Sequence, residues 1–224
     1  MSPIWTSDGK RIIYRSVRAG ALNLFAKAAD GSGEEERLTE GRFNQLASST
    51  SPDGQAMVFL ENTDLWILPL TGEGRSPRPF VKSPFDEGPV SAFSPDGRWL
   101  AYSSNESGRR EIYVQPFPAG GRKVQISRDG GAEPRWVRSG ELFYRNGDKV
   151  MALALPTQPT LSVRQSRMLF ERPQYANDGA SSFDVSPDGQ RLLMIKEDEH
   201  AASATQIDVV LNWFDELKRL VPTK

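Results

Sequence analysis

The chain has no cysteine and a single histidine, His200, in its 224 residues. Disulfide bonds and thiolate metal sites are therefore excluded, although the compartment stays open because many secreted domains also lack cysteine. The formal net charge is only −1, so nothing favours nucleic acid or an anionic membrane as a partner. No apolar run approaches the roughly 20 residues of a membrane-spanning helix. We expect no membrane insertion and, because Met1–Trp5 already enter a repeat, no signal peptide.

Motifs of catalysis are also absent from the sequence. It has no Gly-x-Ser-x-Gly nucleophile elbow and none of the glycine-rich, lysine and aspartate motifs of phosphoryl transfer. A Ser-His-Asp triad would have to use His200, which follows the acidic stretch 197–199 and is expected in a solvated loop. That stretch lacks the alternating oxygen ligands and central glycine of a calcium loop. We therefore predict no catalytic residue, no metal site and no cofactor.

The sequence does contain a repeated turn. Ser94-Pro95-Asp96-Gly97 separates two apolar segments, and the same four residues return at 51–54 and 186–189, with a partial copy at 7–9 and a degenerate one at 139–140. Proline presets the first corner of a type I turn, aspartate bonds nearby backbone N–H groups, and glycine accepts a left-handed conformation. The repeated aspartates are therefore expected to serve their own turns rather than a metal. The turn glycines recur about every 45 residues, which is typical of a repeat protein.

Each repeat holds short β-forming segments separated by turns. In the clearest one, the segments are 90–93, 98–103, 111–115 and 122–126. Four short strands in about 45 residues are typical of a β-propeller blade. We predict an all-β propeller with about five four-stranded blades and the last blade incomplete. The blades are expected at 1–41, 42–83, 84–131, 132–173 and 174–224.

The apolar and polar residues follow this layout. The second strands are nearly continuous apolar runs, which suits burial on both faces, whereas the fourth strands are polar, as outer edges should be. The repeated aromatic residues are predicted to pack between blades rather than to form a stacking platform. They are Phe59, Trp66, Trp99, Trp136 and Phe143.

The end of the chain departs from the repeat. Blade 5 has a predicted third strand at 207–211 but no fourth, and Asn212 can cap a short helix over 213–220 that packs on the propeller. Since no upstream residues supply the missing edge strand, three readings stay open. The chain is the C-terminal part of a larger propeller, or five blades close imperfectly, or open blade edges pair between chains.

The segment 93–102, followed by Ile112-Tyr113-Val114, resembles the repeat of TolB-like β-propellers. The segments 141–144, 184–191 and 209–217 also resemble the C-terminal propeller of bacterial serine/threonine protein kinases. These resemblances imply a bacterial, non-enzymatic module for interaction or sensing, usually with six blades. They carry no catalytic residue onto this chain.

Two alternatives to a kinase-associated module stay open. One is the propeller gate of a prolyl-oligopeptidase-type serine peptidase, whose catalysis needs a separate α/β-hydrolase domain. The other is a periplasmic TolB-like adaptor, against which the lack of a preceding α/β domain weighs. Neither alternative identifies the cellular compartment in which the chain acts.

The most exposed part of a propeller is its set of connecting loops, which carry function on a rigid scaffold. We predict that the loops at 15–21, 62–63, 104–110 and 196–204 each join a second to a third strand and therefore share one side. A protein or peptide, not nucleic acid, is the expected partner. The candidate interaction residues are Arg15, Arg18, Asn62, Asn105, Glu106, Arg109, Arg110, Glu197, Asp198 and His200.

Overall fold

The computed structural model describes residues 3–72, 74–118, 121–156, 161–173 and 181–196. All regular secondary structure in these ranges is β-strand. The strands of blade 1 are β1 (Ile4–Trp5), β2 (Arg11–Ala19), β3 (Ala21–Ala28) and β4 (Glu36–Arg37). Those of blade 2 are β5 (Gln45–Thr50), β6 (Ala56–Glu61), β7 (Asp64–Pro69) and β8 (Arg78–Val81).

The later strands continue the same order. Blade 3 consists of β9 (Glu87–Phe93), β10 (Trp99–Ser104), β11 (Glu111–Pro116) and β12 (Val124–Gln125). Blade 4 consists of β13 (Ala132–Trp136), β14 (Glu141–Asn146), β15 (Lys149–Ala154) and β16 (Arg167–Glu171). The described part of blade 5 is the hairpin of β17 (Phe183–Val185) and β18 (Leu192–Met194).

Each blade is an antiparallel sheet whose strands pair in chain order. The first strands of successive blades contact one another in the order β1, β5, β9, β13, β17. Polar side chains join them: Thr50 Oγ1 donates to the Trp5 carbonyl at 3.2 Å, and the Ser91 amide donates to Ser48 Oγ at 2.6 Å. This repeated stacking of four-stranded sheets through their first strands confirms the predicted β-propeller.

The core lies between blades and is built mainly by the second strands. In β6, successive side chains point to opposite faces. Met57 and Phe59 pack against blade 1, whereas Val58 and Leu60 pack against blade 3. Burying one such side chain stabilises the fold by about 1.5–3 kcal/mol. The predicted aromatic core is confirmed: Phe59 and Phe143 are buried, and the three tryptophans pack half-buried against inter-blade clusters.

The repeated turn forms the hairpin between the first two strands of each blade. In blade 3, Gly97 has φ 71° and its amide donates to the Ser94 carbonyl at 2.9 Å. Asp96 Oδ1 accepts from the Ser94 hydroxyl at 2.6 Å and from the Arg98 amide at 3.1 Å. The same Ser94 hydroxyl accepts from the Trp99 amide at 3.0 Å. The aspartate therefore bonds locally, as predicted. Ser94, which is fully buried, also holds the turn through both hydrogen bonds, a role that was not predicted.

Neighbouring turns contact each other. A Cβ on Gly97 would lie 3.6 Å from Pro52 Cδ, and one on Gly54 would lie 2.7 Å from Ser7 Oγ. On the other side, the Arg138 amide donates to the Pro187 carbonyl at 3.1 Å. The corners of successive blades are thus arrayed side by side at one end of the propeller.

Several expectations about single elements need correction or stay untested. The turn at 139–140 lacks proline and aspartate, yet Gly140 keeps φ 83° and its amide donates to the Val137 carbonyl at 2.9 Å. Strand β5 was not predicted, because its sequence is polar and poor in β-branched residues. The third strand and the C-terminal helix predicted at 207–211 and 213–220 lie outside the described residues. The proposed blade limits stay predictions.

Candidate interaction face

The two ends of the propeller carry different connections. Because the strands alternate in direction, the hairpin corners lie at one end. The turns between second and third strands lie at the other end, together with the links between blades. We call this second end the loop face; its described parts are 20, 38–44, 62–63, 82–86, 105–110, 126–131, 147–148, 172–173 and 181–182.

In blades 2, 3 and 4, a backbone hydrogen bond fastens the turn of the loop face to the segment that leads into or begins the next blade or link. The Glu87 amide donates to the Thr63 carbonyl at 3.1 Å. One blade further, the Gly131 amide donates to the Arg110 carbonyl at 2.9 Å, and then the Arg172 amide donates to the Asp148 carbonyl at 3.0 Å. The loop face is therefore held by repeated main-chain contacts, which lowers the ordering cost of binding at its surface.

A buried carboxylate strengthens the face at blade 3. Glu111, at the start of β11, is 1% exposed and accepts a hydrogen bond from the Gly130 amide at 3.0 Å. Ser127 Oγ also donates to it, and Arg109 Nε donates at 2.8 Å. Because hydrogen bonds to a charged group are stronger than neutral ones, Glu111 fixes the link 126–131 against the turn 105–110.

A second buried carboxylate joins blades 4 and 5. Glu133 accepts from the Ser182 amide at 2.7 Å and from the Ser182 hydroxyl at 2.9 Å. Burial raises the pKa of Glu133, and the hydrogen bonds from Ser182 and the charges of Arg135 and Arg145 oppose that rise. Arg145 is itself 1% exposed, and its Nε donates to the Gly147 carbonyl at 3.1 Å.

Glu87 is the least satisfied of these carboxylates. Its Oε1 accepts from Ser83 Oγ at 3.1 Å and from Ser104 Oγ at 3.4 Å. Its Oε2 is buried and has no hydrogen-bond partner within the described ranges. Burial, with a further contribution from the charge of Asp64, raises the pKa of Glu87 to about 7. The side chain therefore holds a proton well above the pH at which an exposed glutamate loses it.

Blade 2 has an amide, Gln45, at the position where blades 3 and 4 have the acids Glu87 and Glu133. Gln45 accepts from the Thr39 hydroxyl, and its Nε2 donates to Glu61 Oε1 at 2.9 Å. Sequence reasoning missed all of these buried polar residues. The available signal was a Gln or Glu at the start of the first strand in successive repeats, next to glycine in blade 3.

Four predicted interaction residues lie together in the turn 105–110. Asn105 Nδ2 donates to Asp86 Oδ2 at 3.3 Å, and the Asp86 amide donates to Asn105 Oδ1 at 2.9 Å. Arg109 is 59% exposed and also lies 3.7 Å from Asp129. Glu106 is bonded to Lys123, and Arg110 Nη1 lies 3.5 Å from Ser103 Oγ. Their role in binding stays a prediction, but they share the loop face.

The other predicted residues are divided. Asn62 is exposed and adopts φ 58° in the two-residue turn of blade 2, also on the loop face. Arg15 and Arg18 were expected in a loop, but β2 runs to Ala19, so both lie in a strand. The end of this strand was not recognised because polar residues alternate with apolar ones in that segment. Arg18 pairs with Glu35 at 2.7 Å. The remaining candidates, Glu197, Asp198 and His200, lie outside the described residues.

Two exposed aromatic residues on the loop face were also missed. Phe43 is 58% exposed and Phe85 is 39% exposed. They precede Gln45 and Glu87 by two positions each, so they occupy equivalent places in the links entering blades 2 and 3. The repeat alignment of these links was the signal that could have identified them. Aromatic side chains in such positions often anchor protein partners.

Comparison with known proteins supports this fold. No family model matches the chain. The Tol-Pal system protein TolB of Anaeromyxobacter dehalogenans is 33% identical over 78 residues, which are 33% of this chain and 18% of TolB. The solved TolB of Acinetobacter baumannii superposes with a TM-score of 0.70 at 21% identity, covering 89% of this chain and 49% of that one. The chain has a TolB-like β-propeller fold and spans about half the length of that solved TolB chain.

Other similar proteins include enzymes. Tricorn protease homolog 2 of Streptomyces coelicolor is 37% identical over 82 residues, which are 37% of this chain and 7% of the homolog. A solved oligogalacturonate lyase of Vibrio parahaemolyticus has a TM-score of 0.53 at 11% identity, covering 88% of this chain and 70% of the lyase. The fold therefore occurs in enzymes as well as in TolB, and does not by itself decide between catalysis and binding.

Two further observations concern the described residues. Within them, no three Asp, Glu, His or Cys side chains are grouped so that they could hold a metal ion. A helix with the length and apolarity needed to cross a membrane is likewise not found in this part of the chain.

Proposed function

We propose that this chain is a non-enzymatic β-propeller module that binds a protein or peptide on its loop face. One observation carries the proposal: the loop face presents exposed side chains from successive blades on a backbone that buried acids hold in place. Those exposed residues are Phe43, Asn62, Phe85 and Arg109. A rigid surface with aromatic anchors and a polar surround is the arrangement that gives affinity in protein interfaces.

Similarity to TolB supports the interaction reading. TolB is by its name a protein of the Tol-Pal system, so a related propeller works within a set of proteins. We extend only this general property to the present chain. Association with a bacterial serine/threonine kinase domain remains part of the proposal, motivated by the sequence of the last two repeats.

The test is partner capture with a matched pair of variants. The loop-face variant carries Asn62→Gly, Phe85→Ala and Arg110→Ala, which leave the contacts of Asn105 with Asp86 and of Arg109 with Glu111 in place. The control variant carries exposed alanine changes at the corner end, at Lys10, Gln55, Gln190 and Ser139. The partner is identified by affinity capture on the wild-type chain and purified, and its affinity for each variant is then measured. We expect weaker binding by the loop-face variant alone, with little change in melting temperature. Equal binding by a folded loop-face variant would contradict the proposal.

A second candidate is the propeller of a peptidase assembly, which the similarity to the tricorn protease homolog favours. In that case, a separate catalytic domain supplies the nucleophile and the propeller controls access. Both readings expect the purified chain to be unreactive toward a fluorophosphonate serine probe. A labelled serine would overturn the non-enzymatic reading, and capture of a peptidase domain would favour the second candidate over the first.

A further inference from the structure

A cleft of about 560 Å³ opens between blades 1 and 2 beside the loop face. The last strand of blade 1 and the third strand of blade 2 line this cleft on opposite sides, and the link 38–44 lines it at the loop face. Ligand sites in proteins commonly occupy about 300–1,000 Å³, so the cleft has room for a few side chains of a peptide. We call it the blade 1–2 cleft; its principal lining residues are Arg37, Arg42, Phe43, Glu61, Trp66 and Arg75.

The three arginines differ in how far they are neutralised. The exposed guanidinium of Arg42 has no hydrogen-bond or ion-pair partner within the described ranges. Arg37 lies 3.3 Å from the carboxylate of Glu40, which is 81% exposed, so this pair is solvated and weak. Arg75 is bonded to Glu36 at 2.7 Å. Arg42 is therefore the main unneutralised positive group of the cleft. Arg37 Nε also donates to the Thr39 carbonyl at 3.0 Å, so only the contact of Arg37 with Glu40 can be exchanged at little cost.

The apolar part of the cleft consists of two aromatic rings. Trp66 packs half-buried against the cluster that contains Ile13 and Met57, so its position is fixed by the core. Phe43, in contrast, is 58% exposed. A fixed ring beside an exposed one offers a place where a partner's apolar side chain can be removed from water, which favours binding.

The acidic residues of the cleft decide between classes of ligand. Glu40 and Glu61 line it together with the arginines, and Glu61 is held by Gln45 Nε2 at 2.9 Å. A nucleic-acid strand carries a phosphate on every nucleotide and would place some of them against these carboxylates. A peptide, in contrast, can set single carboxylates opposite Arg42 and Arg37. It can also donate backbone N–H groups to Glu61.

We propose that the blade 1–2 cleft binds a short protein segment in which acidic residues flank an aromatic or large aliphatic one. The acidic side chain pairs with the guanidinium of Arg42, and the apolar side chain packs against Phe43 and Trp66. This inference rests on the proposed function, because it names the chemistry of the segment that the interaction module accepts.

The test uses defined fluorescent peptides and the full chain. The probe is a short peptide with aspartates on both sides of a phenylalanine. Two matched peptides replace either the aspartates with lysine or the phenylalanine with serine. Fluorescence anisotropy should show binding of the probe and a loss of affinity on the order of tenfold or more for each matched peptide. Equal binding of all three peptides would overturn the inference.

Variants then place the binding at the cleft. We expect Arg42→Glu and Phe43→Ser to weaken probe binding on the order of tenfold each. Arg164→Glu and Met168→Ser change exposed residues away from both the cleft and the loop face, so these matched controls should leave the affinity unchanged. Equal affinities for the cleft variants and the wild-type chain would contradict the inference. Tight binding of a single-stranded oligonucleotide that the cleft variants abolish would also contradict it.

The two proposals fail in distinguishable ways. If the captured partner still depends on the loop face while Arg42→Glu and Phe43→Ser bind it normally, only the cleft inference fails. If the loop-face variant binds that partner with normal affinity, the proposed function is contradicted, independently of the affinities measured for the peptides.

Discussion

Glu133 and Ser182 belong to neighbouring blades, and the carboxylate of the first accepts hydrogen bonds from both the amide and the hydroxyl of the second, at 2.7 and 2.9 Å. Both residues are buried, with 1% and 2% of their surface exposed. Glu111 and Gln45 make comparable contacts at the junctions before it. The blades are thus joined by buried polar contacts near the loop face as well as by apolar packing.

Glu133→Gln should destabilise the fold by about 1–3 kcal/mol, because the amide NH₂ group that replaces one carboxylate oxygen cannot accept a hydrogen bond from Ser182. Urea denaturation of this variant, of Ser182→Ala and of the double variant measures the coupling between the two residues. A coupling energy near zero would show that the Glu133–Ser182 contact does not hold the blades together.

Gly97→Val should lower the stability by about 1–2 kcal/mol, because a β-branched residue is strained at φ 71°. Its control is Met168→Val in β16, where the side chain is 53% exposed and the backbone is extended. Chemical denaturation provides the comparison. An unchanged midpoint for Gly97→Val would mean that the hairpin corner does not need the left-handed conformation.

Ser94→Ala should cost about 1–3 kcal/mol, since it leaves the Trp99 amide without its side-chain acceptor and removes the donor to Asp96. Ser107→Ala, at an exposed position in the turn 105–110, is the matched control. Thermal unfolding of both variants should show a loss for Ser94→Ala alone. Equal melting temperatures for the two variants would show that proline, aspartate and glycine stabilise the hairpin corner without a contribution from Ser94.

Glu87 should make stability fall as the pH rises. Its pKa is raised from 4.5 to about 7 in the fold. Between those values the folded chain keeps a proton that the unfolded chain has lost. This contribution is fully present below the unfolded pKa and is lost as pH rises through the folded pKa.

Glu87→Gln keeps a neutral, hydrogen-bonding side chain at every pH. The variant should therefore resemble the wild-type chain near pH 4 and exceed its stability at pH 8 by up to about 3 kcal/mol. Urea titrations at several pH values measure the difference. A difference that does not change with pH would show that Glu87 has an ordinary pKa.

The architecture could be predicted from the sequence because the blade repeat depends on residue types that act locally, in turns and in apolar strands. The turn at 94–97 needs particular residue types at fixed positions, and the apolar β6 and β10 are recognisable by composition alone. Strand β5 could not be predicted, since Gln45 to Thr50 are mostly polar and become a strand only by stacking between β1 and β9. The strand conformation of that segment is therefore determined by tertiary contacts rather than by intrinsic β-propensity.

The candidate site was less predictable for a similar reason. Asn62 and Asn105 were found because turns at known repeat positions must be exposed. The buried Glu111 and Glu133 were missed because a single acid in a sequence gives no sign of burial, which depends on links from elsewhere in the chain. Arg18 was placed in a loop because its strand alternates polar and apolar residues without a clear end.

Whether the loop face is the binding surface is tested most directly by hydrogen–deuterium exchange of the chain with and without its captured, purified partner. We expect slower exchange on binding in the link 38–44, the turn 62–63, the link 82–86 and the turn 105–110, with the hairpin corners at 52–54 and 95–97 unchanged. Slower exchange at the corners with an unchanged loop face would contradict the claim that this face is the binding surface.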